Sequence, residues 1–444
     1  MKHYILAAIG VACLTVSAVA HAAGERYHFR LTQDKRTVTE WHSGEASQET
    51  AGQPDCIQFT PDTRFDTNGT YGYDLLPSPD GKGHAPFFVS VRVPDGNYRV
   101  TVTLGDRKKD AVTTVRAESR RLFLDRITTR KGEFKTLTFT VNKRNTKISD
   151  TEEVRIKPRE RSKLNWDDKL TLEFNGARPA CAAICIERDD RVPTIFLTGN
   201  STVVDQDEEP WASWGQMIPR FFDEHVCFAN YAESGESANT FILAGRLQKA
   251  LSQMKPGDYL LMEFGHNDQK QKGPGKGAYY SFATLLKTFI DEVRMRGGIP
   301  VLVTPTRRRA FDRSGRMVNT HADYPEAIVW LAGREQVPVV DLQEQTRLLF
   351  ETLGEEGSKK AFVHYPAGTF PNQTKAFADN THFNPYGAYE IARCVIEEFK
   401  RLQMPFTAYL RKDHAPFCPA SPDDADTFGW DASPFVELQK PDGN

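Results

Sequence analysis

The hydrophobic rhythm of the chain changes near residue 190. From about Arg26 to Glu187 apolar positions recur at every second residue. Tyr98-Arg99-Val100-Thr101-Val102-Thr103-Leu104 alternates and stops at Gly105-Asp106. Phe87 to Val93 ends at the turn Pro94-Asp95-Gly96, and Leu137 to Val141 and Leu170 to Phe174 repeat the pattern. Alternation at period two turns one face to a core and the other to water, so these segments predict half-buried strands. Short strands punctuated by turns, with no convincing helix, predict an antiparallel β-sandwich.

Beyond Arg188 short apolar runs alternate with helical spacing. Thr194 to Leu197, Val226 to Ala229, Tyr259 to Phe264, Ile299 to Val303 and Val337 to Val340 are strand-like. Between them Phe282, Leu285, Leu286, Phe289, Ile290 and Val293 fall three and four residues apart, ending at Gly297-Gly298. Ala388 to Leu402 is a second amphipathic stretch, with Pro385 near its first turn and Pro405 after it. Buried strands alternating with helices predict a parallel sheet covered on both faces, whose site lies at the carboxyl ends of the strands. The chain thus divides into a leader over 1–22, a β-sandwich over 23–187, an α/β half over 192–403, and a C-terminal tail over 404–444, rich in Pro and Asp and read as irregular.

The leader reading rests on Lys2 and His3, an apolar run from Tyr4 to about Val19, and Ala20-His21-Ala22. A basic start, an apolar middle and small residues at a cut site predict a secretory signal peptide cleaved after Ala22, hence export to the periplasm or outside the cell. Lipidation at Cys13 is the second reading. Six cysteines remain after cleavage, which permits disulfides without fixing pairs. Cys181 and Cys185, four apart, lack the spacing of a redox or zinc site.

The 444 residues are 39% hydrophobic, and 57 Lys and Arg balance 59 Asp and Glu for a net charge of −2. That composition fits a globular protein and gives no electrostatic case for nucleic acid. No apolar run after residue 22 approaches the ~18 residues that span a membrane. The stretch 101–170 holds 19 basic against 11 acidic residues. It is read first as a solvated sheet face and second as a preference for an acidic polymer.

Four short segments carry chemistry-bearing side chains at strand ends or helix starts: Gly199-Asn200-Ser201, Asn230 to Ser237, Gly265-His266-Asn267-Asp268, and Asp379 to Gly387. In this order they resemble the SGNH (GDSL-type) hydrolases, most of all the rhamnogalacturonan acetylesterase branch, over roughly 192–403. The resemblance implies a flavodoxin-like three-layer α/β/α fold with a five-stranded parallel sheet. It implies a catalytic Ser201, with His382 as general base and Asp379 orienting it. The backbone N–H groups of Ser201 and Gly235 and the amide of Asn267 would form the oxyanion hole. A serine hydroxyl needs such a base, and the developing oxyanion needs such donors. No metal and no cofactor are implied, and the His residues show no metal-ligand spacing.

Two positions depart from the family pattern: Asn200 replaces the usual Asp before the serine, and Gly235-Glu236-Ser237 replaces Gly-Arg-Ser. The expected function is an exported carbohydrate esterase acting on an acetylated, pectin-like polysaccharide. Xylan acetyl groups or other small esters are an alternative substrate. A non-catalytic glycan binder is the alternative class, since the sandwich is similar in pattern to galactose-binding-like modules. His266 is read as a structural hydrogen-bonder, and Trp211 and Trp214 as core. Arg307-Arg308-Arg309 is divided between solvated charge and a carboxylate grip.

Overall fold

The computed structural model describes residues 26–31, 57–66, 69–79 and 86–443. The predicted leader, with Cys13, and Cys56 lie outside the described residues. Among those described, no helix is long and apolar enough to cross a membrane. The five described cysteines, Cys181, Cys185, Cys227, Cys394 and Cys418, are free thiols.

Ten strands build the first half: β1 (Arg26–Leu31), β2 (Ile57–Phe59), β3 (Tyr71–Asp74), β4 (Phe87–Arg92), β5 (Gly96–Leu104), β6 (Ala111–Ala117), β7 (Arg121–Thr129), β8 (Lys135–Lys143), β9 (Lys169–Arg178) and β10 (Cys181–Arg188). One sheet runs β8-β5-β10-β1 antiparallel, with β2 added parallel to β1. The other runs β3-β4-β9-β6-β7, antiparallel throughout. In β5 the side chains of Tyr98, Val100, Val102 and Leu104 are buried, while Arg99, Thr101 and Thr103 reach solvent. Val89, Val91, Leu170, Leu172 and Phe174 face them from the second sheet. Each such side chain contributes ~1.5–3 kcal/mol on burial, which is what closes the sandwich. Two short 3-10 turns, Pro158–Ser162 and Leu164–Trp166, interrupt a half in which no helix was expected.

The second half comprises β11 (Thr194–Gly199), α1 (Trp214–Met217), β12 (Cys227–Asn230), α2 (Ala238–Leu243), α3 (Arg246–Gln253), β13 (Tyr259–Glu263), α4 (Ala283–Met295), β14 (Ile299–Val303), α5 (Tyr324–Glu335), β15 (Val339–Val340), α6 (Leu342–Gly357), β16 (Phe362–Tyr365), β17 (Phe377–Phe383) and α7 (Pro385–Arg401). The strands β15-β14-β13-β11-β12 are parallel neighbours in that order. Successive residues of β11 feed opposite faces: Ile195 and Leu197 pack with Trp214, Ile391 and Val395, and Phe196 packs with Phe241, Phe289 and Ile328. Helices therefore cover both faces, giving three layers. β15 is shorter than the predicted 337–340, because Pro338 has no N–H for a ladder. β16 and β17 pair as an antiparallel hairpin, so the Asp379–His382 block sits on a strand.

The two halves share a sheet. Phe228 of β12 pairs in parallel with Val141 of β8, joining all the strands of the first sheet and the parallel sheet into one ten-stranded order. The basic stretch 101–170 is a correction. It is not simply a solvated face: Arg116 pairs with Glu173 at 2.7 Å and Arg121 with Asp205 at 3.0 Å, both arginines with fully buried side chains. Arg120 meets Glu209 at 2.5 Å. Arg144 lies 4.5 Å from the ring centres of both Trp166 and Tyr231. Buried charge requires a partner, and many of these partners lie in the second half.

Candidate active site

Strand β11 delivers Gly199-Asn200-Ser201 to the carboxyl edge of the sheet. A Cβ on Gly199 would lie 2.7 Å from the carbonyl oxygen of Glu263, so only glycine lets the turn approach β13. Asn200 braces the turn from both ends of its amide. Its Oδ1 accepts from the Thr202 N–H at 3.1 Å, and its Nδ2 donates to the Glu263 carbonyl at 3.2 Å. Ser213 Oγ and Gln206 Nε2 donate to the Ser201 carbonyl at 2.8 and 3.1 Å.

The Ser201 Oγ lies 2.9 Å from His382 Nε2, and His382 Nδ1 lies 2.8 Å from Asp379 Oδ2. Asp379 Oδ1 also accepts from the N–H groups of Thr381 and His382 at 2.7 and 3.0 Å. Burial alone would raise the Asp379 carboxyl. The hydrogen bond and charge of His382, with the two backbone donors, outweigh it and bring the pKa down to about 2. Asp379 is thus an ionised acceptor that fixes which ring nitrogen of His382 carries the proton. The Trp211 ring, buried as expected, stands edge-on to His382 with centres 5.8 Å apart and also lines the cavity beside the site. Trp214 is core: it is fully buried and donates to Glu263 Oε2 at 2.5 Å.

The other two blocks are tied to one another and, through Gln206, to the serine loop. Gly235 has φ +81°, the left-handed backbone that glycine adopts without strain. Asn267 Nδ2 donates to the Glu236 carbonyl at 2.9 Å, which ties the third block to the second. Gln206 Nε2 bridges the first and second, reaching both the Ser201 carbonyl and Ser234 Oγ. Beneath Asn267, His266 Nδ1 lies 3.0 Å from His321 Nε2. Burial, then the neighbouring His321 and Arg308, hold His266 well below its ordinary pKa, so it is neutral. The three arginines are partly buried and each is hydrogen-bonded within the protein: Arg308 donates to the His266 carbonyl at 3.1 Å, Arg309 to Asn380 Oδ1 at 3.3 Å, and Arg307 to the Gln343 carbonyl at 3.3 Å.

The acidic departure at Glu236 is neutralised from outside its own loop. Lys157 Nζ, from the first half, stands 3.0 Å from Glu236 Oε1, and Arg246 of α3 stands 3.9 Å from it. Glu233 is paired with Arg159 and faces Lys163 at 4.0 Å. A cavity of about 350 Å³ adjoins this cluster, lined among others by Trp211, Gln206, Arg159, Lys163, Lys440 and Asp442. The sequence reading missed Lys157, Arg159 and Lys163, for which the basic excess was the available signal, and the 437–443 segment, for which there was none. Among the described residues one grouping has metal-ligand types within mutual reach, Asp223, Glu224 and His225. It precedes β12, at the edge of the sheet opposite Ser201.

Residues 197–388 match the GDSL-like Lipase/Acylhydrolase family. The chain is 42% identical over 218 residues to rhamnogalacturonan acetylesterase RhgT of Bacillus subtilis, covering 49% of this chain and 93% of that protein. It is 25% identical over 376 residues to the uncharacterized esterase YxiM of the same organism, covering 79% and 88%. A crystal structure of YxiM superposes with a TM-score of 0.45 at 23% identity, over 86% of this chain and 99% of that one.

Proposed function

The chain belongs to the GDSL-like lipase/acylhydrolase family and is a hydrolase of ester bonds; from that premise we propose that it removes acetyl groups from a rhamnogalacturonan- or pectin-like polysaccharide after export. The observation that carries the reading is the chain of short contacts from Ser201 through His382 to Asp379. Likeness to relatives named rhamnogalacturonan acetylesterase, in Bacillus subtilis and Emericella nidulans, supports the substrate class. The apolar leader supports export.

In the proposed reaction His382 Nε2 takes the Ser201 hydroxyl proton as Oγ attacks the acetyl carbonyl. The oxyanion receives hydrogen bonds from the Ser201 and Gly235 N–H groups and the Asn267 amide. Collapse expels the sugar alkoxide, which takes the proton back from His382 and leaves Ser201 acetylated. Water, deprotonated by His382, then releases acetate and restores the serine. Asp379 stays ionised throughout and stabilises the imidazolium.

Acetate release from acetylated rhamnogalacturonan and acetylated xylan tests this. The wild type is expected to favour the first, and Ser201→Ala to lose roughly 10⁴- to 10⁶-fold in turnover. Preference for xylan would move the substrate to the alternative. Equal rates for both proteins would remove Ser201 from the chemistry.

A further inference from the structure

The segment 430–443 crosses the carboxyl edge of the parallel sheet. It is anchored like an extra strand: the Glu209 N–H donates to the Phe435 carbonyl and the Glu437 N–H to the Glu209 carbonyl, both at 2.9 Å. Trp430 Nε1 and the Ser433 N–H donate to Glu209 Oε1 at 2.9 Å, and Trp211 Nε1 donates to the Glu437 carbonyl at 3.0 Å.

Past this anchor the segment turns into the site. Lys440 Nζ stands 3.4 Å from Asp379 Oδ2, the same oxygen that holds His382. Asp442 Oδ2 lies 3.5 Å from Arg159, and Lys270 Nζ donates to the Gly443 carbonyl. Gly443, with φ +109°, rests on the oxyanion donors. A Cβ there would lie 3.0 Å from Asn267 Oδ1, 3.2 Å from its Nδ2 and 3.2 Å from the Gly235 Cα. A Cβ on Gly235 would in turn lie 2.9 Å from the Asp442 Cβ. Backbone thus meets backbone beside Asn267 and Gly235, the donors assigned to the oxyanion in the esterase reading. Ser201, His382 and Asn267 are 3%, 1% and 8% exposed.

We propose that residues 440–443 are an autoinhibitory strap, an intramolecular occupant of the acyl site that must leave before an ester carbonyl reaches Ser201. The proposal rests on the esterase reading above. Occupancy blocks Asn267 and Gly235, and the Lys440 ammonium competes with the His382 imidazolium for one carboxylate oxygen. The two ion pairs that hold the segment are weak in kind. The Lys440 and Asp442 side chains are 47% and 52% exposed, and exposed ion pairs contribute little. Pro441 has no N–H to pin the backbone. The strap therefore opens without disturbing the 435–437 anchor, and apparent substrate affinity falls with the open fraction.

The test measures kcat/KM for 4-nitrophenyl acetate in the full chain, a chain shortened after Gln439, and Gly443→Ala. The alanine is strained at that φ and crowds Asn267, so it expels the strap without removing residues. With the strap closed nine-tenths of the time or more, shortening raises kcat/KM about tenfold or more, and Gly443→Ala moves it the same way. A peptide of residues 436–443 inhibits the shortened chain competitively and the full chain much less. An unchanged or lower kcat/KM in a folded shortened chain overturns the strap and leaves the esterase reading standing. If no form turns over any ester but the fluorescein-labelled peptide binds the shortened chain and not the full one, the strap stands and the esterase reading falls.

Discussion

Asp379→Asn removes a charge while keeping a shape, and the contacts around Asp379 say what that costs. The side chain is 4% exposed, with His382 Nδ1 at 2.8 Å and two backbone N–H donors at 2.7 and 3.0 Å. An amide there can turn its NH₂ toward Nδ1, which drives the imidazole proton to Nε2, where it can no longer accept the serine proton. The transition state also loses an ion pair. Two unit charges about 4 Å apart attract by about 4 kcal/mol at an effective dielectric near 20, roughly 10³ in rate. With the wrong tautomer added, the expected loss in kcat is about 10⁴. The assay is 4-nitrophenyl acetate hydrolysis, with thermal melting to verify folding. Because the folded pKa is held down to about 2, Asp379 contributes stability above its ordinary value near 3.8 and loses it as pH falls through 2. The variant should accordingly melt lower than wild type at neutral pH, and the gap should shrink toward pH 2. A folded variant retaining a tenth of wild-type kcat would refute the role assigned to this carboxylate.

Two further outcomes follow from buried charge. Arg246 and Glu160 are paired at 2.5 Å with both side chains fully buried, and Glu160 also accepts from Trp166 Nε1; Arg246→Ala should cost about 3–5 kcal/mol in urea unfolding, while Glu160→Gln with Arg246→Met recovers part of it, and a loss below 1 kcal/mol would contradict the pairing. Burial raises Glu263 to about 7 against hydrogen bonds from Trp214, Thr202 and Thr306 that lower it. A raised folded pKa means its stabilisation is complete below its ordinary value near 4.5 and lost as pH rises toward 7. Wild type should therefore lose roughly 3 kcal/mol relative to Glu263→Gln between pH 4.5 and 7, read by melting at each pH; parallel curves for the two proteins would exclude it.

What the chain reveals locally and what it conceals divide along sequence separation. Period two in Tyr98–Leu104 is legible because each residue of a strand reports its own face. Asp379 three residues before His382 is legible for the same reason: one strand carries both. The pairing of β12 with β8 is not, because an edge residue such as Phe228 looks apolar whichever neighbour it finds. That join helps bring segment 157–163 against the Glu233–Glu236 loop, so the neutralisation of Glu236 by Lys157 was invisible, and a basic stretch looked like a solvated face. The strap was hidden because Lys440-Pro441-Asp442-Gly443 reads as an irregular turn wherever it lands.

The departure at Asn200 has a local cause that only the fold exposes. The Thr202 hydroxyl lies 3.0 Å from Asn200 Oδ1 and 2.8 Å from Glu263 Oε1, and it has one proton to give. An Asp at 200 would set a second carboxyl group beside that hydroxyl in a buried site, where burial disfavours its charged form. It would also forfeit the Nδ2 donor that meets the Glu263 carbonyl. With Glu263 buried at the end of β13, the amide braces the Ser201 turn from both of its ends, accepting from Thr202 and donating to the Glu263 carbonyl. The turn therefore holds Ser201 to β13 through a donor that an aspartate at 200 would lack.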